Sequence, residues 1–288
     1  MTEPALEIAF SAVLGLVVGS FLNVVIWRLP RGESIVRPGS HCPQCQRRLL
    51  PWENIPLLSY LVQRGRCRGC GARIALRYPA VEALTVCVFA VVAWRFGLSP
   101  AGLVYMAFAA ALVAAAAIDL EHRIIPDSIS VGGLLFGLLV VPALRMHAGF
   151  SFADALEFSF GGALFGSGAV WAVGFLHARV AVAMGRRFPH WPGEDEAYPK
   201  PLSLDYWIWF PGMGFGDVKL LAMIGAFLGP AGALETILAG AVLGLIVGVG
   251  YGLVRRGFDA PFGFGPSLAA AALLSLLSPV RLFSLWSG

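Results

Sequence analysis

The sequence predicts an all-α polytopic membrane protein of about eight transmembrane helices, with a small cysteine-bearing loop module on the cytoplasmic side. Three observations carry this. The 288 residues are 58% hydrophobic and only 13% charged, and a mean hydropathy of +0.76 is far above what a soluble globular domain sustains. Apolar runs near bilayer length recur along the chain, and the polar residues collect in two stretches between them. A net charge of +4 is too small to argue for a nucleic-acid partner.

The first run, Leu6 to Ile26, invites reading as a signal peptide. It is preceded by Glu3 and Glu7 rather than basic residues, and Arg28 and Arg31 follow it, so a retained helix with its N-terminus outside is expected. Further spans are expected near 79–97, 101–118, 129–145, 157–178, 216–229, 232–254 and 264–283, with the first at 6–28. Tight turns at Ser99-Pro100 and Gly229-Pro230 make hairpins of their flanking spans. The short span 216–229 suits a tilted or partly re-entrant segment. This arrangement leaves both termini outside and puts 18 of the 21 Lys and Arg residues inside, against Arg95, Arg145 and Arg281 outside. The expected organisation is therefore a first transmembrane helix at 1–28, a cytoplasmic module at 29–78 and a membrane domain at 79–288 with a cytoplasmic loop at about 179–215.

The module at 29–78 holds nine arginines and four of the five cysteines, as Cys42-Pro-Gln-Cys45 and Cys67-Arg-Gly-Cys70. Two CxxC turns complete a tetrahedral thiolate site of the kind zinc favours, and a closed four-cysteine site is structural rather than catalytic. Two disulfides are the alternative, but the basic bias places this loop in the reducing cytoplasm. Gly69 and Gly71 are expected to supply backbone freedom to the turn, and Cys87, in mid-span, reads as a small buried hydrophobe. In the second polar stretch, Trp191, Trp207 and Trp209 suit a membrane interface, and Glu194, Asp195 and Glu196 form an acidic cluster.

Two aspartates stand at the edges of apolar runs on the same expected side: Asp119, in Ala-Ile-Asp-Leu-Glu, and Asp217, in Gly-Phe-Gly-Asp-Val. Two carboxylates at one depth cannot easily both ionise, and a pair sharing a proton can activate water while donating to a carbonyl oxygen. Glycines at 214 and 216 would let a peptide backbone approach. Asp217 also suits a helix N-cap, and Asp119 an ordinary interfacial position in a short loop. Asp127, after Pro126 and before the fourth span, reads as an N-cap. Glu121, His122 and Arg123 read as solvated loop residues. Lys219, two residues past Asp217, would not face the same way on a helix. Glu82 is a further carboxylate inside a span.

The run Gly19-Ser-Phe-Leu-Asn-Val-Val-Ile-Trp-Arg-Leu-Pro30, the two CxxC pairs, Asp119 with Ile125-Pro126-Asp127, and Gly214-Phe-Gly-Asp217 together resemble the bifunctional type IV prepilin peptidases. The resemblance covers nearly the whole chain in order. It implies a GxGD-type aspartic peptidase of the bacterial inner membrane with its active site facing the cytoplasm. Such an enzyme removes the short basic leader of type IV pilus prepilins or type II secretion pseudopilins after a glycine, then methylates the new N-terminus with S-adenosylmethionine. By the same resemblance the catalytic aspartates fall on Asp119 and Asp217 and the zinc ligands on Cys42, Cys45, Cys67 and Cys70. No Gly-rich nucleotide loop marks the methyl-donor site. A basic leader could be held by Glu194, Asp195, Glu196 or Asp205. Two alternatives stand beside this: a peptidase without methyl transfer, and a zinc-ribbon scaffold or transporter whose aspartates relay protons. Transporters place such groups near the midplane, whereas here both sit at span ends.

Overall fold

The computed structural model describes residues 4–186, 188, 199–209, 211, 214–255 and 263–278. Its regular structure is helical, and six helices among the described residues are long and apolar enough to cross a membrane. The chain divides into two compact units, residues 1–124 and 125–288.

The first unit is built on α1 (Pro4–Arg28), α3 (Arg77–Phe96) and α4 (Pro100–His122), with the cysteine module and the short α2 (Leu58–Val62) between α1 and α3. Helix α1 buries Ser11, Gly15 and Gly19, a stripe of small residues one turn apart. It lies so close to α3 that a Cβ at Gly15 would stand 2.9 Å from the Val86 Cα, and one at Gly19 2.9 Å from the Glu82 Cα. Close backbone approach of this kind is how helices associate where lipid offers no hydrophobic contrast. At one end of the pair, the Glu7 carboxylate accepts the Leu98 N–H at 3.1 Å. At the other, Asn23 Nδ2 donates to the Tyr78 carbonyl at 3.0 Å. Ser99 caps α4 by accepting the Gly102 N–H at 3.0 Å, with Pro100 at the first helical position.

The second unit comprises α5 (Asp127–His147), α6 (Phe152–Leu156), which runs through a π-turn into α7 (Gly162–Ala183), then α8 (Leu204–Ile208), α9 (Phe215–Arg255) and α10 (Gly265–Leu277). Helix α9 is the hub, packing on α5, α7 and α10. Its first arm is buried nearly all round, with Leu220, Leu221, Met223, Ile224 and Ala226 fully enclosed. Glycines on the neighbouring helices allow this: a Cβ at Gly162 would fall 2.1 Å from the Gly225 carbonyl oxygen. The Ser159 hydroxyl adds a hydrogen bond to the Ala226 carbonyl at 2.8 Å.

The expected apolar segments are helical over nearly all of their described residues. Segments 216–229 and 232–254 are the two arms of α9, two helices that meet at a kink at Gly229 (φ 71°, ψ −179°) directly before Pro230, where the sequence expected the break. The last expected span, 264–283, is represented by the 13 residues of α10, and residues 279–283 lie outside the described residues. Cys87 is exposed on the outer face of α3, not buried as its mid-span position suggested. Trp207 belongs to a stack in which its ring lies 5.2 Å from Phe175 at 2°. Trp171 Nε1 donates to the Trp207 carbonyl at 2.8 Å, which holds α8 against α7. Trp209 follows α8 and is exposed, as is Asp205 in its first turn. Trp191, Glu194, Asp195 and Glu196 lie outside the described residues.

Candidate functional site

The two CxxC turns of the first unit have the same construction. Cys42 N–H donates to the Arg47 carbonyl and Cys67 N–H to the Ala72 carbonyl, both at 2.9 Å. The returning bonds, Gln46 N–H to Cys42 O and Gly71 N–H to Cys67 O, are also 2.9 Å. Each turn closes through a left-handed residue, Gln46 (φ 58°) or Gly71 (φ 72°). Gly69 does not supply a left-handed φ; what it contributes is its N–H, 3.4 Å from the Cys67 Sγ. The four Sγ atoms lie within 4.8 Å of one another, with Cys42 and Cys70 3.9 Å apart. A tetrahedral zinc with Zn–S bonds near 2.3 Å needs sulfurs roughly 3.8 Å apart, so the cluster fits such an ion. The N–H groups of Cys70 and Gly69 pull the Cys67 thiol down to about 6, which favours the ligating thiolate. The Ala72 N–H acts the same way on Cys70, but burial and hydrogen bonding with Cys45, Cys67 and Cys42 outweigh it and hold that thiol up at about 11.

Glu53, not singled out by the sequence reading, braces this module. It ends the 3₁₀ turn Pro51–Glu53 and accepts the Leu50 N–H at 2.9 Å and Arg47 Nη2 at 2.6 Å. Those two bonds, the Leu50 N–H first, hold its carboxyl below the ordinary carboxylate range. The sequence signal was a proline followed two residues later by an acid, a helix-start pattern.

A cleft of about 380 Å³ opens in this unit between the module and the adjoining ends of α1 and α3, lined among others by Asn23, Trp27, Tyr60, Tyr78 and Glu82. Glu82 reaches from α3 to the module and accepts the Leu57 N–H at 2.7 Å; Leu57 itself has a φ of 60°. Arg28 at the end of α1 is buried and donates to the Ser34 carbonyl at 3.0 Å. Glu121, also on the cleft wall, is engaged by Arg77. It is exposed, as expected, but it lies in the last turn of α4 rather than in a loop.

Asp119 is in the last turn of α4, 5% exposed. The helix runs past it because nothing breaks it until Arg123, whose left-handed backbone (φ 56°, ψ 37°) caps it through an N–H to the Asp119 carbonyl at 2.9 Å. In the second unit, Asp217 is in the first turn of α9, 8% exposed, and its N–H donates to the Gly214 carbonyl at 3.0 Å. Gly216 takes the Ile125 side chain against it, so its missing Cβ serves packing, whereas exposed Gly214 would bring a Cβ only to 3.7 Å from Asp217 Oδ2. Asp127 makes no cap hydrogen bond; Pro126 is the cap residue, and the Asp127 carboxylate accepts from Lys219 Nζ. Lys219 thus reaches to the start of α5.

Residues 13–96 match the bacterial peptidase A24 N-terminal domain and residues 106–249 match the type IV leader peptidase family. The chain belongs to the type IV leader peptidase family. Among relatives in that family, a protein of Pseudomonas putida called prepilin leader peptidase/N-methyltransferase is 35% identical over 96% of this chain and 92% of its own length. Proteins of the same name share 42% identity in Myxococcus xanthus, over 83% of this chain and 62% of that protein, and 34% in Pseudomonas aeruginosa, over 96% and 92%. No solved structure matches the chain. The N-terminal family match takes in all four cysteines and Glu82, and the leader peptidase match takes in Asp119 and Asp217.

Proposed function

We propose that this protein removes the short basic leader of type IV prepilins or pseudopilins after a glycine, at the cytoplasmic face of the bacterial inner membrane, and then methylates the new N-terminal amine. Membership of the type IV leader peptidase family is the observation that carries this reading. Asp119 and Asp217 act as the hydrolytic pair. Each is a nearly buried carboxylate at the end of an apolar helix, where an acid is retained for chemistry. One takes a proton from the attacking water while the other donates to the scissile carbonyl. Both termini face the periplasm, following the basic-residue bias.

Cys42, Cys45, Cys67 and Cys70 hold a structural zinc, supported by sulfur spacings suited to a tetrahedral ion. S-adenosylmethionine supplies, when bound, an electrophilic methyl group. The cleft of about 380 Å³ fits a ligand of that size, and its carboxylates and aromatic rings suit a cationic one. Asn23, Tyr60, Tyr78 and Glu82 would hold it. The test is leader removal from a purified prepilin by wild type, Asp119→Asn and Asp217→Asn, with mass spectrometry of the product in the presence of the donor. Wild-type cleavage, loss in both variants and a 14 Da gain on the product are expected. Full cleavage by either variant removes the pair.

A further inference from the structure

We infer that Glu82 and Asn23 form a receptor for a primary ammonium group in the cleft of the first unit. Three glutamates line that cleft, and their partners differ. Glu53 is engaged by Arg47 and the Leu50 N–H, and Glu121 by Arg77. Glu82 accepts from two neutral donors, the Leu57 N–H through Oε2 and the Ser20 hydroxyl, and no cation pairs with it among the described residues. It is 8% exposed. In its ionised form, a carboxylate buried to that degree calls for a compensating positive charge.

Asn23 gives an independent indication. It is 3% exposed, and its Nδ2 is used by the carbonyls of Tyr78 at 3.0 Å and Gly19 at 3.3 Å. Its Oδ1 is buried and accepts no hydrogen bond. Buried acceptors are almost always paired, so an orphan on a cleft wall points to a donor that arrives with a ligand. Packing puts the two acceptors on facing turns: Asn23 bonds to Tyr78, one turn before Glu82 on α3, and Gly19, one turn before Asn23, rests on the Glu82 Cα.

An ammonium brings positive charge and three N–H donors and accepts nothing, which suits a carboxylate beside an unpaired amide oxygen. A sulfonium or quaternary cation would neutralise Glu82 but leave Oδ1 unpaired. Resting on the proposed function, two sources carry a primary ammonium: the substrate N-terminus freed by leader removal, and the amino-acid end of the methyl donor. In both cases Glu82 sets the charge and Asn23 the orientation.

Binding to the full-length protein in nanodiscs, by calorimetry, tests this in two arms. The first compares a peptide of the mature pilin N-terminus with its N-acetylated form. The second compares S-adenosylhomocysteine with methylthioadenosine, which lacks the amino-acid portion. Wild type should prefer the amine-bearing ligand at least tenfold in one arm, which names the source. Glu82→Gln, which retains an acceptor for Leu57 and the side-chain volume, should abolish that preference and leave the acetylated or truncated ligand unaffected. No wild-type preference in either arm overturns the inference, and so does a preference that persists in Glu82→Gln. If the tryptic pattern of the module shows Glu82→Gln to be disturbed, Asn23→Ala replaces it and, by removing the unpaired acceptor, should weaken amine binding several-fold; unchanged binding there also overturns the inference. Leader cleavage and methylation by wild type are followed in parallel, so a failure of the proposed function registers separately from a failure at the cleft.

Discussion

Substituting Gly225 by Ala should disable the helix that carries Asp217 without touching the aspartate. A Cβ at Gly225 would lie 2.0 Å from the Gly162 carbonyl oxygen, and 2.4 Å from its carbon. An ordinary contact begins near 3.4 Å, so α7 and α9 have to part by about 1.4 Å. Both obstructing atoms are backbone, and no rotamer change relieves them. Overpacking of this kind costs about 1–3 kcal/mol, against a gain of about 1 kcal/mol from replacing glycine by alanine in a helix; the steric term wins. Asp217 lies eight residues away, roughly 12 Å along the same straight arm, and a shift near 1 Å at a reacting group can reduce turnover by about 100-fold. The expected outcome is a ten- to hundredfold loss in leader cleavage with a lower midpoint in a thermal melt. Gly168→Ala, where a Cβ meets nothing within 4 Å, should melt at or above wild type and cleave normally. Equal behaviour of the two variants in both assays would refute the claim that this crossing positions Asp217.

Cys42→Ser should release the metal, read by elemental analysis, and open the arginine-rich module to trypsin; unchanged metal content defeats the four-cysteine site. Glu53, held below its reference value of 4.5 by the Leu50 N–H and Arg47, stabilises its turn above that value and ceases to do so as pH falls through the lower folded-state value. Hydrogen exchange of the Leu50 N–H should therefore differ between wild type and Glu53→Gln at pH 7, with the difference shrinking as the pH falls below that reference value. The pair of Lys219 and Asp127 is partly exposed, with side-chain exposures of 26% and 67%, so it contributes under about 1 kcal/mol. Lys219→Ala should slow leader cleavage by no more than about fivefold, and the exchange Lys219→Asp with Asp127→Lys should restore part of the loss in the same assay.

The features legible in the sequence were those whose physics is local. A CxxC turn is fixed by four residues, so the spacing at Cys42, Cys45, Cys67 and Cys70 was sufficient to expect the cluster that the fold assembles. Apolar runs of helical length announce themselves one by one, and the break between two of them is local as well: at Gly229-Pro230 the first arm of α9 ends in a non-helical glycine and the second begins. Asp127 was misread because Pro-Asp before a span has the form of a cap, while its real partner, Lys219, lies 92 residues further along the chain. Glu121 is exposed as expected, but its ion pair with Arg77, 44 residues earlier, has no local signal.

Long-range pairing also explains why the cleft was invisible. Its carboxylates look alike in a sequence, and only their partners tell them apart. Glu53 and Glu121 each meet an arginine, while Glu82 crosses from a membrane helix to the backbone of a left-handed leucine. The same contact that leaves Glu82 without a counter-charge also ties α3 to the cysteine module. Under the proposed function, a zinc-braced loop docked on a buried acid in this way presents a charged ligand site without a separate soluble domain. Under the proposed function a Gly-rich nucleotide loop is not required, because α1, α3 and the module supply the walls of the cleft.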